Sequence, residues 1–150
     1  MSVSTITLSA LLIVSAAFAD NDSSRAKLMG KWLQSDGNEE AKSSWTLLDG
    51  SADSIHITSS NGTQVVAEFE CNTVGQECAV KAAGRKAKVS MWFNGPKLVE
   101  MESVGAQVVK RRFSIGGDGE TMDLETIPIS PAGKTQISHF KRVPPVVAKQ

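Results

Sequence analysis

SIHITSSNGTQVVAEFEC, residues Ser54–Cys71, carries the reading that decides the fold. Ile55 and Ile57 point to one side of an extended chain while His56 and Thr58 point to the other. After Asn61-Gly62 the same alternation resumes through Val65, Ala67, Phe69 and Cys71. A period of two with turn residues between the runs is the pattern of half-buried strands joined in a hairpin. Asn-Gly at the junction suits a type I′ turn, in which both central residues take positive φ.

The pattern extends in both directions. Gly30 to Gln34 and Trp45 to Leu48 read as the first two strands. Downstream, Ala87, Val89, Met91 and Phe93 share a face up to the turn Asn94-Gly95-Pro96. Beyond it Val99 and Met101 are expected inside, with Glu100 and Glu102 facing away. Val109, Arg111, Phe113 and Ile115 follow, then the loop Gly116-Gly117-Asp118-Gly119, then Met122 and Leu124 against Asp123 and Glu125. The last strand ends near Val143, where Pro144-Pro145 cannot donate to a ladder. Nine or ten short strands result, and only Glu39 to Ser43 reads as a helical turn. With no crossover helices the sheet must be antiparallel, and closure into an up-and-down barrel removes its exposed edges.

At the N-terminus the apolar run Ile6 to Phe18 is short for a bilayer and ends in Ala17-Phe18-Ala19, a small-x-small cleavage pattern. Residues 1–19 are expected to be a signal peptide, 20–27 a flexible leader, 28–143 the barrel and 144–150 an extended tail, with a secreted or periplasmic destination. The mature chain is then of single-domain size. Sixteen basic and sixteen acidic residues balance, so no global field draws nucleic acid or anionic lipid. No membrane span is expected. In an oxidising compartment Cys71 and Cys78 are expected to form a disulfide joining two neighbouring strand ends. Two separated histidines, His56 and His139, are too few for a zinc site. Asp118 reads as a turn residue, and no nucleophile elbow is present. No cofactor, metal or catalytic set is expected, and the chain reads as non-enzymatic.

Gly30-Lys31-Trp32 opening the domain, together with Arg142 on the last strand, resembles a lipocalin or calycin-type barrel. The stretches Asn94 to Val99, Lys110 to Phe113, Ile127-Pro128-Ile129 and His139 to Arg142 resemble uncharacterised exported lipocalin-like proteins of acidobacterial type. The resemblance implies that Trp32 closes one end of the barrel with Arg142 packed over its face, a structural role.

Arg111 falls on the apolar face by alternation, where a guanidinium can clamp the carboxylate of an amphipathic ligand. A bulge that shifts the register would instead pair it with Glu100, Glu102 or Asp123. Met91, Phe93, Met101, Phe113 and Met122 are expected to line the interior, as an adaptable ligand pocket or as plain core filling. Two functions fit: uptake of a small apolar or amphipathic molecule, or a filled barrel acting on a protein partner, as an envelope interaction module or protease-inhibitor-like barrel. An interior cavity of about 300 Å³ or more would favour the first.

Overall fold

The computed structural model describes residues 16–82 and 84–148; the rest of the expected signal peptide and the last two residues of the tail lie outside them. A helix α1 (Ala16–Leu28) leads into ten strands: β1 (Gly30–Gln34), β2 (Ser43–Asp49), β3 (Ser54–Asn61), β4 (Gln64–Asn72), β5 (Cys78–Ala82), β6 (Arg85–Asn94), β7 (Lys97–Val104), β8 (Gln107–Ile115), β9 (Thr121–Ser130) and β10 (Gln136–Val143). A 3₁₀ turn, Glu39–Ala41, joins β1 to β2, with the Asn38 side chain capping it. Each strand pairs antiparallel with its sequence neighbour, and β1 also pairs with β10, so the sheet closes into a barrel. No helix among the described residues is long and apolar enough to cross a membrane.

The Ser54–Cys71 hairpin forms as its alternation dictates, with Ile55 opposite Cys71 and Ile57 opposite Phe69. Its turn differs from the expected one. Asn61 is the last residue of β3 and pairs with Gln64, so Gly62 and Thr63 are the central pair, and of the two only Gly62 has positive φ (58°). That is the Gly-X pattern of a two-residue loop rather than the I′ pattern. Gly62 is also pinned by space, since a Cβ there would stand 2.5 Å from the Glu40 carbonyl oxygen.

One end of the barrel is a packed apolar plug. Trp32, Leu47, Ile57, Leu98, Phe113 and Phe140 meet there with almost no exposure, and Leu28 seals them from α1. Arg142 lies 4.2 Å above the Trp32 ring centroid and donates to the carbonyls of Lys27, Met29 and Gly119 at 2.6, 2.7 and 3.1 Å. The Trp32 indole donates to the Leu28 carbonyl at 2.9 Å. Two side chains thus satisfy carbonyls at and just beyond the C-terminal end of α1, which has no further turn to receive them, and Arg142 adds the favoured charge sign. Gly30 makes this possible: its φ is 130°, and a Cβ there would stand 2.8 Å from the Arg142 guanidinium.

The segment 20–27, expected to be a flexible leader, is helical instead. Among residues 22–28 Leu28 alone is buried, and polar ties hold this part of the helix. Arg25 bonds Asp49 at 2.9 Å and the Ser54 carbonyl. Cleavage before Asp20 would leave the part of α1 from Asp20 to Leu28. Residues 144–148 carry no regular structure and are exposed.

Among the described residues strands β4 and β5 are joined at a single paired position, Ala67 with Ala82. The Cys71–Cys78 disulfide links these two strands at the plugged end. Closing so short a loop stabilises by about 2–3 kcal/mol in the chain-entropy view.

Candidate functional site

At the end opposite the plug the inner face turns polar. The cause is register. The two-residue loop Gly95-Pro96 sets Asn94 opposite Lys97 and Phe93 opposite Leu98, so side chains on the inner face of β7 are Leu98, Glu100 and Glu102. Strand β8 matches them with Phe113, Arg111 and Val109. Two expectations are corrected here: Glu100 and Glu102 face inward, and Met101 faces outward, half-buried between Ser90 and Lys110.

Arg111 faces the interior with no shift of register at its own position. Its guanidinium meets Glu100 at 2.9 Å and Glu102 at 3.4 Å. It lies 5.8 Å from the Trp45 ring centroid, and Trp45 makes an edge-to-face contact with Phe113 at 5.3 Å. Arg111 points inward as alternation places it, and the pairing with Glu100 and Glu102, expected from a bulge that shifts the register, occurs without one at this position.

The triad is deeply placed, with side-chain exposures of 1 % for Glu100, 15 % for Glu102 and 19 % for Arg111. Glu100 Oε2 is buried without a hydrogen-bond partner. Burial pushes the Glu100 carboxyl above its ordinary 4.5, with the Arg111 charge opposing and the Glu102 charge adding to the rise. Burial also works against the Arg111 charge, but the two carboxylates outweigh it and hold the guanidinium above its usual value.

A raised carboxyl pKa means that the folded state binds the proton more tightly than the unfolded chain. The associated stability is complete below 4.5 and is lost as pH rises through the folded value. Replacing Glu100 by Gln removes that loss. The stability difference, Gln minus Glu, is expected to grow between about pH 4 and about pH 8. Urea titrations at both pH values check it, and a difference that shrinks with pH would contradict the placement of Glu100.

Above the triad a cavity of about 210 Å³ opens at the barrel mouth, lined among others by Trp45, Ser59, Asn61, Ala67, Arg85 and Arg111. The other expected lining residues lie elsewhere. Met91 stands opposite Glu100 across β6–β7 and is fully buried, Phe113 and Met122 are fully buried in the plug, and Phe93 packs against it half-buried, so all four fill the core instead of lining the cavity. Trp32, Phe113 and Phe140 are all buried in that core cluster. Alternation alone did not single out Trp45, Ser59, Arg85, Glu100 or Glu102. Counting outward from the two-residue Gly95-Pro96 loop would have placed both glutamates.

His56 and His139 sit on the outer face, against Glu68 at 3.2 Å and Asp123 at 2.7 Å. The Asp123 hydrogen bond, then its charge, raises the His139 pKa. No cluster of three or more potential metal ligands occurs among the described residues. Asp118 accepts the Glu120 and Thr121 amides and the Thr121 hydroxyl, which holds its carboxyl below the ordinary range and organises the loop.

No protein-family model matches the chain, and no curated protein matches it in sequence. Solved structures do match in fold. A fatty-acid-binding protein of Schistosoma mansoni in complex with arachidonic acid superposes with a TM-score of 0.65 at 16% identity, covering 81% of this chain and 99% of that one. Fatty-acid-binding protein 1 of Echinococcus granulosus gives 0.65 at 8% identity, covering 79% and 99%. Secretory abundant heat soluble protein 4 of Ramazzottius varieornatus gives 0.62 at 16% identity, covering 77% and 94%. The chain therefore has the ten-stranded antiparallel barrel fold of the fatty-acid-binding and lipocalin-like proteins.

Proposed function

We propose that the protein is an exported, non-enzymatic barrel that takes up a small amphipathic molecule at its mouth. The observation that carries this reading is the Arg111–Glu100–Glu102 triad inside the barrel, facing a cavity where an apolar filling would serve stability better. A buried ion pair is often no more stable than hydrophobic residues of like volume, so its presence beside an open cavity points to use. The polar head of the ligand would meet Arg111 and Glu102, and its apolar part would rest on Trp45, Ala67 and Val104. The cavity is smaller than the roughly 300–1,000 Å³ of sites for drug-sized molecules, so the occupant is short or only partly inserted. The Schistosoma protein that shares the fold holds arachidonic acid, which supports the class of ligand; the filled plug leaves no deep chamber for so long a chain here. Export rests on Ala17-Phe18-Ala19 and agrees with the disulfide.

Titration with the neutral fluorophore N-phenyl-1-naphthylamine tests the reading. A saturable rise in emission at one probe per chain is expected, weakened by about tenfold or more, 1.4 kcal/mol, when Ala67→Phe fills the mouth. No saturable binding, or binding that ignores Ala67→Phe, would overturn it. The second reading, a barrel acting on a protein partner through its rim, is favoured by the packed plug and by a cavity below 300 Å³. It would gain if the fluorophore did not bind.

A further inference from the structure

Overall neutrality hides a local imbalance. From Cys78 to Val99 the chain carries Lys81, Arg85, Lys86, Lys88 and Lys97 and no Asp or Glu. The β5–β6 ladder gathers four of them at one edge of the mouth. Lys81 stands directly opposite Lys86 on the outer face, and Lys88 shares that face opposite Ala79. Like charges placed opposite one another weaken a sheet. Glu77 answers Lys88 at 3.0 Å from outside the ladder. Lys81, Lys86 and Lys88 border a groove of about 670 Å³ that also takes in Ala79, Ser103 and Gly105, while Arg85 carries the positive charge round the hairpin into the mouth cavity.

We propose that this basic face docks the barrel, mouth side first, on an anionic lipid bilayer. Charge complementarity calls for a negative partner. The character of the same barrel end selects a bilayer over a nucleic acid. The large apolar side chains exposed there are Val65, Ile129 and Ile137, each about half exposed, and all are aliphatic. Aliphatic side chains enter a headgroup layer, whereas single-stranded nucleic acid is gripped by stacking on aromatic rings. Each lysine near an anionic surface strengthens binding by roughly fivefold, about 1 kcal/mol. The inference does not depend on the ligand reading, because it needs no occupant in the cavity.

Co-sedimentation of the purified protein with vesicles tests it. Binding is expected to vesicles of phosphatidylcholine with phosphatidylglycerol, to fall with added salt, and to be absent from pure phosphatidylcholine. Lys81→Gln/Lys86→Gln/Lys88→Gln should cut vesicle affinity on the order of 100-fold with the melting temperature retained, since all three side chains are exposed. Equal binding to neutral vesicles, no loss in the triple variant, or binding of a soluble polyanion such as polyphosphate without binding to anionic vesicles would each overturn it.

Discussion

Replacing Arg111 by Met is expected to destabilise the protein by about 3–5 kcal/mol at neutral pH, because Glu100 would be left buried beside no countercharge. Glu100 has only 1 % side-chain exposure. The loss should shrink in acid, since protonating Glu100 removes the unpaired charge, and urea unfolding at about pH 4 and about pH 7 reads both. The double variant Arg111→Met/Glu100→Leu should recover most of the stability, as apolar replacement of a buried pair usually does. Recovered stability with lost binding of an anionic amphiphile such as decanoate would mark the triad as retained for the ligand rather than for the fold. A single-variant loss under about 1 kcal/mol, or no recovery in the double variant, would contradict the buried-triad account.

The second large effect belongs to the plug. Trp32→Ala should cost about 3–5 kcal/mol, the range for deleting a fully buried large aromatic, because Trp32 has no exposed surface and bonds the Leu28 carbonyl. Arg142→Ala should cost less, about 1–3 kcal/mol, since part of its side chain reaches solvent. The two losses should not add. A double-mutant cycle is expected to give a coupling of about 0.5–2 kcal/mol from the stacked guanidinium. Full additivity would mean that the 4.2 Å stacking contributes nothing. Amide exchange of Arg25 to Leu28 should rise in both variants, because these two side chains bond the carbonyls at the end of α1.

Much of this was legible from residue order. Strict alternation placed β3, β4, β6, β8 and β9, and Gly30–Gln34 reads as a strand with the bounds it has. Trp32 beside Arg142 followed from a resemblance rather than from periodicity, and their ladder pairing gives it a physical basis. Alternation failed in β7 for a definite reason. Leu98-Val99-Glu100-Met101-Glu102 offers apolar residues to both faces, so hydrophobicity cannot choose between them, and the loop before it decides. Val99, on the outer face, is nevertheless 1 % exposed, which makes the pattern look inverted. Helix α1 escaped notice because a segment held by Arg25, Arg142 and Trp32 needs no apolar stripe of its own. The basic face escaped because charges were totalled over the chain, whereas a surface responds to the cations that one ladder sets side by side.

Backbone amide shifts recorded while N-phenyl-1-naphthylamine is added test the central claim most directly. The account predicts perturbations gathered at the mouth, at Ser59, Asn61, Ala67, Val104 and Arg111, with Trp32 and Phe140 in the plug unchanged. Perturbations confined to the outer face, or none at saturating probe, would contradict it.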